Sequence, residues 1–417
     1  MADAVPLPTS DTAMDRRLLL TGLPVLVANA TVVVIPVLAR AAFSLTEYAV
    51  FALLMTVVMA AGLLDLGGSA YVQSLGYGRA TSTRQYAVAV GLAAAGAVGV
   101  TVVAAVAVVV VAPGVDPGLR SSTAVTLVVA CGVASAARGA VAVLMSRLQV
   151  AERFTLRAAV ALGQSVLQVA AFAALATAGA GLWSLPLAVG GGSAVALVAG
   201  HLSLHVRPTR FPSSPDHLPV ARFAVFRTLS ALMGAGSSQA DRWVLAVVAG
   251  QLFLADYDLA LRFAVLPGAV VGAVFVGIVA EAAAAHGAPA RRALVARYTR
   301  RVAVTAAVLS VGTLAGVIVL GLVGLVPVTP RLVTVLVMAL VWSGINAATA
   351  PTTFAFIGVG LPQAELRYAA PALLTAAAGW VLAVVLDNEW LVPVSLLLAV
   401  SGWSLWFIRY GARQDRA

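Results

Sequence analysis

Five ionisable residues stand in stretches that are otherwise apolar: Asp65, Arg138, Asp241, Arg242 and Arg262. At the centre of a membrane-spanning helix each costs about 2.5–3.5 kcal/mol on insertion scales. Such residues therefore face a bundle interior or a wet cavity and take partners. Counting depth along a helix at about 1.5 Å per residue puts Asp65 and Arg138 at one level and Asp241, Arg242 and Arg262 at another. Two readings are open. The charges are acid–arginine locks, one in each half of the chain. Alternatively, the arginines line a cavity and neutralise an anionic substrate, with Asp65 and Asp241 as charge partners or coupling groups. Three cations against two acids favour the second, because the surplus guanidinium welcomes an anion. Asn29 and Asn346 add amides that can touch sugar hydroxyls or bridge neighbouring helices.

The elements that hold these residues follow from composition. Of 417 residues, 61% are apolar and 10% charged, and the mean hydropathy is +1.01. Soluble domains run at about 45–50% apolar and about 25% charged. Too few polar groups exist here to cover a water-facing surface, so the chain reads as an all-α polytopic membrane protein. The lone Cys131 rules out an internal disulfide. The net charge of +10 comes from arginine alone, spread thinly between apolar runs, which argues against nucleic acid as a partner. Residues 1–15 are polar, Arg16 and Arg17 follow, and the run 18–39 is long enough to cross a bilayer, so it reads as a retained span rather than a cleaved signal.

Twelve such runs are present: 18–39, 48–75, 86–112, 122–146, 156–179 and 182–204, then 221–249, 254–281, 302–326, 332–359, 368–386 and 390–408. Val/Ala stretches such as 101–112 have strand propensity, but an open strand in lipid leaves its backbone unpaired, so helix is expected. With the N-terminus cytoplasmic, twenty arginines fall on inner segments and only Arg40, Arg120 and Arg331 on outer ones. That bias predicts both termini on the cytoplasmic side of the membrane. The outer loops are expected to be acidic, with Glu47, Asp116, Asp256, Asp258, Asp387 and Glu389. The polar stretch 205–219, HVRPTRFPSSPDHLP, reads as a cytoplasmic linker between lobes 1–204 and 220–417. Six spans per lobe make any repeat parallel, related by a pseudo-two-fold along the membrane normal. Glu47-Tyr48 and Asp256-Tyr257 open the second helix of each lobe and hint at that repeat.

Several chemistries find no footing. The chain has no GxxxxGK[ST] loop, and His201, His205, His217 and His286 lack metal-ligand spacing. No loop is long enough for a catalytic domain, so neither an enzyme, a cofactor nor a metal is expected. A carrier of two lobes survives.

The stretch Glu47–Gly68, EYAVFALLMTVVMAAGLLDLGG, resembles the second helix of bacterial polysaccharide flippases, which ends in D-L-G. Asp241–Pro267, DRWVLAVVAGQLFLADYDLALRFAVLP, is similar to their seventh and eighth helices, although Ala-Asp stands before the Tyr where Gly is common. These flippases belong to the multidrug/oligosaccharidyl-lipid/polysaccharide exporter superfamily. The resemblance implies alternating access and a polyprenyl-pyrophosphate-linked oligosaccharide as cargo, its pyrophosphate met by Arg138, Arg242 and Arg262. It also implies membrane lipids, H+ or Na+, and a glycan polymerase or glycosyltransferases as partners. Two other functions remain open: a multidrug exporter of the same superfamily, or a non-transporting membrane scaffold of a glycan-assembly complex.

Overall fold

The computed structural model describes residues 31–74, 81–206, 220–275, 288–358 and 362–411. Every regular element among them is helical. In chain order these are α1 (Thr31–Ala42), α2 (Leu45–Leu63), α3 (Gly68–Ser74), α4 (Thr83–Val115), α5 (Ser121–Val150), α6 (Phe154–Thr177) and α7 (Ser184–Val206). The second half has α8 (Val220–Val248), α9 (Gln251–Phe275), α10 (Ala288–Leu322), α11 (Pro330–Ala347), α12 (Ala350–Gly358), α13 (Leu366–Val385) and α14 (Leu391–Gly411). Two spans are broken: α2 continues as α3, and α11 as α12. Counted that way, the fold has twelve transmembrane helices in two six-helix lobes, α1–α7 and α8–α14. Nine spans among the described residues are long and apolar enough to cross a bilayer by themselves. The segment 207–219, expected as a linker, lies outside the described residues.

The repeat is visible in the packing. Helix α2 lies on α4 and α5 as α9 lies on α10 and α11. Helix α6 pairs with α7 as α13 pairs with α14, and α5 meets α7 as α11 meets α14. Val110 and Leu322 leave 76% and 83% of their surface open, which is how side chains facing lipid tails behave rather than a packing fault.

The arginine bias gives the bundle two distinguishable ends. In the arginine-poor half one apolar cluster runs through both lobes, from Val108, Leu127 and Phe172 to Leu245, Leu332 and Trp380. In the arginine-rich half the described buried apolar residues split by lobe. Tyr71, Val72 and Val143 form one N-lobe cluster, Leu144, Leu148 and Val160 another, and Val271, Val302 and Ala306 belong to the C-lobe. Among the described residues the lobes thus share one apolar cluster at one end, while at the other each buried cluster belongs to a single lobe, although α3 still touches α8.

The break after α2 has a local cause. Leu66 and Gly67 take φ of 47° and 80°, the left-handed region that ends helices. Asp65 then caps α3: its two oxygens accept from the Gly67 and Ser69 amides, both at 2.9 Å. This corrects the expectation for Asp65. No ion pair joins it to Arg138; its charge is spent on the first turn of the next helix. A Cβ on Gly96 would collide with the Leu64 carbonyl, so glycine there lets α4 slide under the break.

A second correction concerns the acidic outer loops. Asp256 and Asp258 are not in a loop. Helix α9 starts at Gln251, earlier than the apolar run suggests, and Asp258 is fully buried within it.

Candidate functional site

The site is built where α8 and α9 face each other in the arginine-poor half. Helix α8 brings Asp241 and Arg242, and α9 brings Tyr257, Asp258 and Arg262. Asp258 and Arg262 stand one helical turn apart, so their side chains meet on one face. Arg262 Nη2 is 2.9 Å from Asp258 Oδ1, and Arg242 Nε donates to the same oxygen at 2.6 Å. Arg242 also donates through Nη1 to the Ser238 carbonyl at 2.6 Å and to Asp241 Oδ1 at 3.2 Å. The Tyr257 hydroxyl donates to Asp241 Oδ2 at 2.6 Å. Every member is closed off: Arg242 and Arg262 are 2% exposed, Asp241 and Asp258 0%. Two acids and two arginines cancel, which is what permits four charges to be buried together.

One residue reaches into this cluster from the other lobe. The Tyr48 hydroxyl of α2 donates to Asp258 Oδ2 at 3.3 Å. Three further bonds cross between the lobes. Thr46 Oγ1 donates to Gln251 Oε1 at 2.9 Å, while Gln251 Nε2 donates to the Val115 carbonyl at 2.6 Å. One glutamine side chain thereby holds the start of α2 and the end of α4. Deeper in, Trp243 Nε1 donates to Thr56 Oγ1 at 2.7 Å. Among the described residues these are all the hydrogen bonds between the lobes, and all lie between the arginine-poor end and mid-membrane.

The sequence-derived candidates scatter. Arg242 and Arg262 come together with Asp241, as their common level implied, but enclosed by carboxylates rather than lining open space. Arg138, on α5, is half-buried and feels the positive charge of Arg262. Its one hydrogen-bond partner among the described residues is the Met59 sulfur at 3.7 Å, a weak acceptor. Arg262 itself keeps Nε unbonded, and its Nη2 lacks hydrogen-bond alignment despite the ion pair. Asn346 is exposed at the break between α11 and α12, and its Oδ1 accepts from Ser404 of α14 at 3.3 Å. Asn29 lies outside the described residues. The residue that sequence reading missed is Asp258, although its spacing from Arg262 on a helix was available as a signal. Among the described residues, no group of three or more His, Cys, Asp or Glu side chains could hold a metal.

Comparison with known proteins agrees on the architecture. No protein-family profile matches the chain, and no curated protein matches it. Solved structures do. An inward-facing multidrug resistance MATE family transporter of the MOP superfamily is 14% identical, covering 94% of this chain and 94% of that one, with a TM-score of 0.63. The chain has the MATE-transporter fold. An outward-facing multidrug resistance MATE family transporter gives 0.62 at 12% identity over 98% and 99% of the two chains. The bent form of the MATE transporter VcmN of Vibrio cholerae gives 0.60 at 13% identity over 98% and 99%. Overall likeness to this MATE-type fold is therefore equal for inward and outward forms. It is the cross-lobe bonds that distinguish the two ends of the present structure.

Proposed function

We propose that this protein is an alternating-access transporter of the multidrug-exporter kind, captured with one side closed. The observation that carries the reading is the asymmetry of the lobe junction: a shared apolar core and every described cross-lobe hydrogen bond at the arginine-poor end, separate cores at the other. Helix α3 also touches α8 toward the other end, so what differs along the junction is where its described bonds and shared core lie. The positive-inside bias assigns the arginine-rich end to the cytoplasm, so the described cross-lobe bonds lie toward the outer side, the arrangement an inward-opening form needs. The MATE family neighbours, described as multidrug resistance transporters in both inward- and outward-facing forms, support an organic solute as cargo. An H+ or Na+ gradient is the energy source this reading requires. Cysteines at Thr46 and Gln251, in a Cys131→Ala background and joined by a short thiol crosslinker, are expected to stop efflux of a lipophilic cationic dye from proteoliposomes. A reducible linker should restore it on reduction. Undiminished efflux with the link in place would refute alternating access about this junction.

A second reading, flipping of a polyprenyl-pyrophosphate oligosaccharide, is favoured by one specific feature. Arg138 has no carboxylate partner among the described residues and feels the positive charge of Arg262, whose Nε is unbonded. Two guanidiniums so placed suit a phosphate that bridges them once the lobes part. Arg138→Gln is expected to lower flipping of a fluorescent pyrophosphate-linked lipid about tenfold, the value of one charge-assisted bond. Dye efflux should be spared. Loss of dye efflux without any pyrophosphate-lipid flipping in the parent protein would leave the exporter reading alone.

A further inference from the structure

Helix α10 is longer than the hydrocarbon it crosses. Its 35 residues reach about 52 Å, and the stretch 302–322 by itself is about 30 Å, enough to fill the apolar core of a bilayer. The turns before it stand at headgroup depth on the arginine-rich side, and they carry Arg297, Arg300 and Arg301. All three are exposed, whereas the adjacent Val302 is fully buried. Arg297 and Arg301, one turn apart, share an aromatic ring: their guanidinium carbons lie 5.3 and 5.9 Å from the centre of Tyr298.

The outward face of α10 decides what these arginines meet. Val304, Val308 and Val311 leave 57%, 66% and 70% of their surface open, which marks the side turned to lipid tails. Arg301 precedes Val304 by three residues and Arg300 by four, so both arginines continue the valine stripe by one turn. The opposite stripe, with Val302 and Ala306, packs on Val271 of α9. A lipid whose chain lies along the valines therefore has its headgroup at the arginines. Charge selects which lipid. The sequence from Ala282 to Ala364 contains no Asp or Glu, and like charges one turn apart repel, so a bound anion relieves the strain. The matching helix of the other lobe, α4, has a single arginine, Arg84, at the same end. We infer that Arg300 and Arg301, with Arg297 beside them, bind the phosphate of an anionic phospholipid in the arginine-rich leaflet. Paired guanidiniums hold phosphate oxygens through their N–H donors, and basic clusters next to a spanning helix draw anionic headgroups. Helix α10 packs on α9, α11 and α12 of its own lobe, which keeps this site apart from the lobe junction.

Native mass spectrometry and thermal unfolding of the full-length protein in detergent, with added phosphatidylglycerol, phosphatidylcholine or inorganic phosphate, test the site. Phosphatidylglycerol is expected to stay bound and to raise the unfolding temperature. Phosphatidylcholine, without net charge, and inorganic phosphate, without a tail, should do neither. Arg300→Gln and Arg301→Gln should each weaken phosphatidylglycerol retention about fivefold, and the double variant about thirtyfold. Replacing both by Lys keeps the charge and should hold retention within a few-fold. Arg84→Gln removes one exposed charge at the same end of α4 and should leave retention unchanged. If the Gln variants fail to insert, the parent protein carries the test. Salt at about 1 M cuts the Debye length to about 3 Å and should abolish most of the rise in unfolding temperature caused by phosphatidylglycerol. A rise that survives this salt undiminished overturns the inference, as does equal retention by the parent and the double variant. An equal loss in Arg84→Gln also overturns it, by revealing a general response to leaflet charge. So does protection by inorganic phosphate equal to that by phosphatidylglycerol, which would make the site one for free anions.

Discussion

Tyr48 and Tyr257 stand near the start of equivalent helices, α2 and α9, yet they hold different things. Tyr257 donates to Asp241 of its own lobe at 2.6 Å; Tyr48 crosses to Asp258 of the other lobe at 3.3 Å. The helices around them differ in the same sense. Helix α2 is apolar beyond Glu47, whereas α9 carries Asp256, Asp258 and Arg262. The C-lobe therefore closes on itself with a buried ionic cluster, and the N-lobe uses its tyrosine to grip that cluster from outside. Strong bonds sit inside one lobe and weak ones between lobes. For a transporter this is the useful division, because the lobe must survive each cycle and the junction must open in each.

The sharpest way to break the contrast is to remove the carboxylate both tyrosines depend on, directly or through Arg242. Asp258 serves Arg242, Arg262 and Tyr48 at once. Asp258→Ala leaves two guanidiniums short of a partner in a dry interior and is expected to cost about 3–5 kcal/mol, read as a collapse in folded yield and in the unfolding temperature. Replacing Arg262 by Leu in the same chain should recover part of the loss, since it removes one of the stranded charges.

Tyr257→Phe tests the intra-lobe side alone. It strips Asp241 Oδ2 of its donor while the ring stays packed against Phe253 at 6.4 Å. The expected cost is about 1–2 kcal/mol, seen in thermal unfolding, with little change in the balance between inward- and outward-facing forms.

Much of this layout was readable in the residues. Long apolar runs and the arginine bias defined twelve spans, because lipid leaves the backbone no alternative to helix. The repeated acid–Tyr pair marked the matched helices. What stayed hidden depended on where helices begin and break. Asp258 stands among the expected outer acids although it lies four residues inside the run 254–281, and α9 begins still earlier, at Gln251, whose side chain is claimed by α2 and α4. Asp65 looked like an intramembrane charge because Leu66 and Gly67 carry no mark of a break in an otherwise continuous apolar run. Their left-handed backbone turns it into a cap. Both errors came from treating hydropathy as a boundary signal, when capping and tertiary bonds set the ends.

The smallest effect should come from Tyr48→Phe, and it is the one that separates the two tyrosines. The bond is long, and hydrogen bonds between membrane helices average about 0.6 kcal/mol. Asp258 keeps both arginines, so the C-lobe cluster survives and the unfolding temperature should hardly move. The junction, however, loses one of only four described cross-lobe bonds. A bias of about 0.6 kcal/mol shifts a two-state balance roughly threefold toward the form open at the arginine-poor end. Thiol labelling of a cysteine at Thr46 or Gln251, in the Cys131→Ala background, reads that shift as faster modification. A stability loss as large as that of Tyr257→Phe, with labelling unchanged, would mean Tyr48 is part of the C-lobe's internal lock. The division between strong lobe and weak junction would then be wrong.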